Sequence, residues 1–139
     1  MVDAELADPG GFPMILGLGT DLIGIARIRG VCDRHGQTFL DRTYTTEEQA
    51  YARSAKDPAE RLAARWAVKE ATMKALGTGW AQGVRLTDIA LLPATDRQPP
   101  RLVLTGVAAE VAARLGATRH HASVSHSDGM AVAVVILEG

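Results

Sequence analysis

An acid and a base stand one helical turn apart at Glu70 and Lys74, inside the run Trp66-Ala67-Val68-Lys69-Glu70-Ala71-Thr72-Met73-Lys74-Ala75-Leu76-Gly77-Thr78-Gly79. A carboxylate and an ammonium fixed on one helix face can together hold a metal-bound pyrophosphate. The same spacing also makes an ordinary surface ion pair, which supports a helix by about 0.2–0.5 kcal/mol. Their surroundings favour chemistry. Glu70 and Lys74 lie over a flank of small residues, Ala63 and Ala67, beside a stripe of Leu62, Trp66 and Met73. Alanines let another element come close, so the two charges are placed to line a crevice. Lys69 falls within the apolar stripe itself, which calls for a snorkelling stem or a buried partner.

A second acid, Asp21, follows Gly17-Leu18-Gly19-Thr20. It reads as the junction between a strand and a helix. There it either caps the helix or faces a ligand at the helix N-terminus. Magnesium takes one or two carboxylates together with phosphate oxygens and water, and Asp21 with Glu70 meets that need. Gly77-Thr78-Gly79 is either a plain helix end or a loop that lets backbone approach a phosphate. Ser125-His126-Ser127 is by default a strand end with a structural histidine. His120, His121 and His126 lack zinc spacing, and the sole Cys32 is remote from them. Ser125, His126 and Asp128 do not form a nucleophilic triad, because neighbouring strand residues point to opposite faces and no nucleophile elbow is present.

The elements that must position these groups are legible in outline. Ile15 to Thr20 reads as a buried strand whose glycines admit another backbone. Leu22, Ile25, Ile28 and Val31 recur at helical spacing. Thr45 and Glu48 make a capping box for a short helix ending near Lys56. Asp57-Pro58-Ala59-Glu60 starts a helix that runs to about Leu76, with Gly77 as its cap. Arg85–Leu92 and Arg101–Thr105 read as a strand pair around a proline-rich turn. Gly106–Leu115 is helical. His121–His126 and Met130–Leu137 form a hairpin about Asp128-Gly129. The order is strand, helices, two strands, helix, two strands. It predicts an α+β fold with an antiparallel sheet rather than a doubly wound parallel one.

Composition narrows the class. A chain of 139 residues is most simply one domain. With 47% hydrophobic residues and only 4% aromatic, its core must be built of Ala, Val, Leu and Ile. The net charge of −1 gives no electrostatic case for nucleic acid. The longest apolar run, Met130–Leu137, is far short of the roughly 20 residues of a membrane helix. Residues 1–13 carry Asp3, Glu5, Asp8 and Pro9-Gly10-Gly11, unlike a signal peptide. They read as a disordered extension ahead of a single domain over 14–139, with Met14 an alternative start. The single cysteine suits a reducing compartment, and cytoplasm is expected.

Taken together, Gly17-Leu18-Gly19-Thr20-Asp21, Arg65-Trp66-Ala67-Val68-Lys69-Glu70, Lys74-Ala75 and Gly77-Thr78-Gly79 resemble the holo-acyl-carrier-protein synthases, the small phosphopantetheinyl transferases. Pro100-Arg101-Leu102 and Ser125-His126-Ser127 support the match, which runs from Met14 to the C-terminus. The resemblance implies an antiparallel sheet, a long central helix and flanking helices. It implies a homotrimer with each site at a subunit boundary. It implies transfer of 4′-phosphopantetheine from coenzyme A to a serine of apo acyl carrier protein, releasing adenosine 3′,5′-bisphosphate. On that pattern Asp21 and Glu70 ligate magnesium. Glu70, directly or through a metal-bound water, helps deprotonate the serine, and Lys74 offsets phosphate charge. Arg65, Lys74, Gly77, Thr78, His126 and Ser127 contact coenzyme A, and Arg27 faces the carrier protein. Two departures stand out. Gly24 replaces a common acid, and Trp66 replaces a common Phe. A catalytically idle coenzyme A or carrier-protein binding module on the same scaffold is the rival expectation.

Overall fold

The computed structural model describes residues 12–139. Residues 1–11 of the extension expected over 1–13 lie outside the described residues, and Phe12 and Pro13 belong to no helix or strand. The elements run β1 (Ile15–Gly24), α1 (Ile25–Thr43), α2 (Thr46–Arg53), α3 (Pro58–Leu76), a 3-10 turn (Leu86–Asp88), β2 (Ile89–Leu92), β3 (Arg101–Leu104), α4 (Gly106–Leu115), β4 (Arg119–Ser127) and β5 (Met130–Glu138). An antiparallel sheet has the order β1-β5-β4, and β2-β3 is a separate antiparallel hairpin. The architecture is α+β, with α3 as the central helix.

The termini of α3 follow from their sequence. Asp57 accepts from the Ala59 N–H, and Pro58 occupies the first turn, where no donor is needed. Gly77 takes φ 76°, and the Gly77 and Thr78 N–H groups return to the Lys74 and Met73 carbonyls. That left-handed cap satisfies carbonyls that the helix end would otherwise orphan. Between the caps, Ala63, Ala67 and Ala71 are wholly buried. β1 packs on this helix and meets it at Ala71 and Ala75. A Cβ on Gly17 would sit 2.1 Å from the Ala75 carbonyl oxygen, and one on Gly19 would sit 1.8 Å from that of Ala71. The glycines therefore admit α3 backbone, as the sequence suggests.

The strand itself differs from expectation. It continues to Gly24, so Asp21 lies inside β1, paired with Ala133, and caps no helix. Leu22 belongs to the strand too, and the helical repeat starts at Ile25 and Ile28. Only one face of β1 is buried: Leu18 is 64% and Leu22 61% exposed. On β5, Ala131, Ala133, Val135 and Leu137 pack inward with no exposure, while Met130 and Val134 face out. The outer face is apolar and exposed on β1 and β5, and polar on β4, where Arg119, His121, Ser123, Ser125 and Ser127 lie. Two smaller differences concern loops. Leu86–Asp88 is a 3-10 turn that precedes β2, and α2 stops at Arg53. The β4–β5 turn matches its sequence signal, with φ 52° at Asp128 and 75° at Gly129.

Lys69 has a buried partner. Its ammonium, with no exposed side-chain surface, donates to Glu48 Oε1 at 2.7 Å, to the Leu86 carbonyl at 2.9 Å and to the Ile89 carbonyl. Glu48 completes the capping box with Thr45 and accepts from the Leu91 N–H at 3.2 Å. All three ammonium donors are thus used, which is what keeps a buried charge tolerable. The pair ties α2 and β2 to α3 at the residue before Glu70. Among the described residues, no helix is long and apolar enough to cross a membrane.

Candidate active site

The first cluster of charged groups forms where the C-terminal half of α3 crosses β1. Asp21 points from the inner face of β1 and its side chain is 16% exposed. Lys74 donates to the Thr20 carbonyl at 2.8 Å and to Asp21 Oδ1 at 3.3 Å. Glu70 lies one turn earlier on the same helix face. Its carboxyl is pushed above the usual range, first by burial and then by the charge of Asp21, with Lys74 and Arg27 pulling the other way. Asp21, Glu70, Lys74 and Arg27 are therefore brought together from three elements. The i,i+4 ion pair is not formed: among the described residues no salt bridge joins Glu70 and Lys74, whose ammonium is on Asp21 instead.

This donor set fits magnesium. Two carboxylates converge, close enough for the charge of Asp21 to raise the Glu70 carboxyl, and the Thr20 carbonyl adds a hard oxygen. Among the described residues no group of three His, Cys, Asp or Glu side chains is placed to hold a metal. Gly24, where an acid is common, contributes none. A two-carboxylate site of this kind takes its remaining ligands from phosphate and water.

The second cluster lies on the N-terminal half of α3. Arg65 is 5% exposed, its guanidinium sits 4.5 Å from the Tyr51 ring centroid, and its Nε has no hydrogen-bond partner. Burial pulls its pKa below the usual arginine value. It lines a cavity of about 480 Å³ with Tyr51, Lys56, Arg61, Pro100 and His126. His126 Nδ1 is 2.8 Å from Glu60 Oε1. Ser127 and His126 line an adjoining cavity of about 320 Å³ with Arg29 and Gly129. An orphaned buried guanidinium donor beside Lys56, Arg61 and His126 suits a polyanionic ligand. The structure adds Tyr51, Lys56 and Arg61 to the residues expected from sequence. The Arg61–Arg65 spacing of one helical turn was an available signal. Tyr51 had none, because its stacking on both arginines depends on how α2 packs on α3.

The two clusters do not face one another within one chain. Arg65 and Glu70 are five residues apart, about 140° around the helix at 3.6 residues per turn. Glu60, which holds His126, and Glu70 are ten residues apart, about 15 Å along the axis. The expected coenzyme A contacts thus divide into Arg65, His126 and Ser127 on one side and Lys74 on the other. Gly77 and Thr78 follow Lys74 at the helix end. There the N–H groups of Gly77, Thr78 and Gly79 are engaged by α3 carbonyls, and the Thr78 hydroxyl donates to the Gly79 carbonyl at 3.1 Å.

Comparison with known proteins identifies the family. The family model of the 4′-phosphopantetheinyl transferase superfamily matches residues 17–135. A holo-[acyl-carrier-protein] synthase from Koribacter versatilis (strain Ellin345) is 47% identical over 128 residues, 90% of this chain and 99% of its own. The crystal structure of a holo-[acyl-carrier-protein] synthase from Neisseria meningitidis superposes with a TM-score of 0.80 at 31% identity, covering 89% of this chain and 98% of the other. That of a holo-(acyl-carrier-protein) synthase from Bacillus anthracis str. Ames in complex with CoA (3′,5′-ADP) gives a TM-score of 0.73 at 35% identity, covering 90% and 97%. With its glycine-floored strand, its long central helix and matching relatives over nearly its whole described length, the chain belongs to the 4′-phosphopantetheinyl transferase superfamily.

Proposed function

We propose that this chain transfers the 4′-phosphopantetheine arm of coenzyme A to a serine of apo acyl carrier protein, leaving adenosine 3′,5′-bisphosphate. The observation that carries the reading is the convergence of Asp21, Glu70 and Lys74 where β1 crosses α3. It is supported by the relatives named for this activity and by the Bacillus anthracis complex with CoA (3′,5′-ADP).

The serine hydroxyl attacks the phosphorus nearer the pantetheine. A serine Oγ–P bond forms, and the bond from that phosphorus to the bridging pyrophosphate oxygen breaks. Glu70 takes the serine proton at a carboxylate oxygen. Lys74 offsets the charge that grows on the departing phosphate. Asp21 and Glu70 would hold magnesium, which when bound supplies positive charge against the pyrophosphate oxygens. Arg65, His126 and Ser127 hold coenzyme A phosphates, while Gly77 and Thr78 form the helix end against which the cofactor passes. Arg27, exposed at the start of α1, receives the acidic carrier protein.

The active assembly is a homotrimer with sites at subunit boundaries. Two facts support this. Arg65 and Glu70 face different sides of α3, about 140° apart, and a neighbouring copy can supply the Arg65 side. The outer face of β1 and β5 exposes Leu18, Leu22, Met130 and Val134, an apolar surface suited to the heterologous contact of a closed ring. The working unit is the domain over 14–139. Its free Cys32 suits the cytoplasm.

The test is incubation with apo carrier protein, coenzyme A and magnesium, followed by intact mass. A gain of one phosphopantetheine group on the carrier is expected. Coenzyme A binding without transfer would instead favour the idle binding module.

A further inference from the structure

Lys74 stands at one place in this structure, and the reaction needs it at another. Its ammonium rests on the Thr20 carbonyl at 2.8 Å and on Asp21 Oδ1 at 3.3 Å. These are two of the hard oxygens that a divalent cation would use. Glu70, the other carboxylate, has no salt-bridge partner among the described residues, although it lies one turn from Lys74 on the same helix. The lysine instead reaches across to the neighbouring strand, where the Asp21 side chain is 16% exposed, while its own side chain is 54% exposed. Lys74 lies in the last turn of α3, and its long stem is half in solvent, so the ammonium can change partners without moving the backbone.

We propose that Lys74 is the resident counter-cation of Asp21: its ammonium holds the cation site in the metal-free chain and leaves Asp21 when a divalent ion binds there, which frees it for the substrate phosphate. The inference rests on the reading of Asp21 and Glu70 as the metal carboxylates. Two cations cannot share one Asp21 oxygen at close range without strong repulsion in a half-buried site. An ammonium on Asp21 therefore lowers the affinity for the ion. Once displaced, Lys74 keeps its place on the same helix face as Glu70, beside the phosphate that the ion would bind. Loading of the site and arming of the lysine are then one event.

The test is Mn2+ binding to the full chain, followed by electron paramagnetic resonance without coenzyme A. Lys74→Met keeps the length of the stem and removes the charge, and its exposure makes misfolding no obstacle. The variant should bind Mn2+ about three- to tenfold tighter than the unmodified chain, the scale of one half-exposed ion pair together with relief of like-charge repulsion. Its transfer activity should fall at the same time. Lys74→Arg, which keeps the charge, should bind Mn2+ like the unmodified chain. Tighter metal with slower turnover is a combination that a purely structural lysine would not give. Unchanged or weaker Mn2+ affinity in Lys74→Met overturns the proposal. Asp21→Asn separates the two ideas. If it weakens Mn2+ binding while Lys74→Met changes nothing, only the displacement fails. If it leaves Mn2+ binding untouched, the metal assignment fails, and the displacement with it.

Discussion

Gly19→Ala tests whether the site depends on the contact between β1 and α3. The added methyl would lie 1.8 Å from the Ala71 carbonyl oxygen, 2.8 Å from its carbon and 2.9 Å from the Ala75 nitrogen. All three are helix backbone, so none can rotate away. Ordinary van der Waals contact begins near 3.4 Å, so strand and helix must part by about 1.5 Å. Overpacking of this kind costs about 1–3 kcal/mol, occasionally more. For a domain of this size that is a fall in melting temperature of about 3–10 °C. The effect on chemistry should be larger than the effect on folding. Gly19 is two residues from Asp21 on the same strand face, and Ala71 follows Glu70. Separation of the two backbones therefore separates the two carboxylates, and a misplacement of about 1 Å costs on the order of 10²-fold in rate. Transfer to apo carrier protein, read by intact mass at a temperature well below the variant's melting point, separates the two losses. Gly30→Ala is the control. It lies within α1, where a Cβ would meet only the flexible Arg34 side chain, and it should stabilise by about 0.5–1 kcal/mol. A Gly19→Ala chain that melts and turns over like the unmodified protein would refute the argument.

Four further outcomes are expected. Glu70→Gln should abolish transfer yet raise the melting temperature near pH 7.5. The folded state raises the Glu70 pKa and so penalises its charge, a cost that vanishes below the unfolded value of about 4.3, where both states are protonated; a lower melting temperature than the parent at pH 7.5 would contradict this. Lys74→Ala should cut turnover by about 10²–10³-fold, the scale of one preorganised electrostatic donor, with wild-type kinetics telling against its role. Lys69→Met should cost about 3–5 kcal/mol in urea unfolding, because it leaves Glu48 charged and buried; adding Glu48→Gln should recover part of that loss, and strict additivity would argue against the pair. Arg27→Glu should raise the Michaelis constant for carrier protein and leave that for coenzyme A nearly unchanged, with the difference shrinking as salt screens exposed charge; unaltered carrier kinetics would remove Arg27 from the docking surface.

What the sequence determined by itself is what local rules govern. Asp57-Pro58 and Gly77 bound α3 because capping is settled within one turn of the chain. Thr45 and Glu48 found each other for the same reason, and Asp128-Gly129 set the β4–β5 turn. The motif residues also announced the family, since Asp21, Glu70 and Lys74 occur in order with their flanking glycines and alanines. Tertiary structure decided everything that depends on which elements meet. Asp21 reads locally as a helix cap, yet pairing with β5 carries the strand three residues further, because a ladder of backbone hydrogen bonds outweighs a weak, glycine-broken helical repeat. Lys69 announced only that it needed a partner; that the partner is Glu48, 21 residues away, follows from α2 and β2 packing over α3. Lys74 reads as the partner of Glu70 at helical spacing, but β1 brings Asp21 within its reach. Last, the separation of the two clusters onto different sides of α3 is invisible in a linear motif. Arg65 and Glu70 are neighbours in sequence, and only the turn of the helix and the elements packed around it send them to different surfaces.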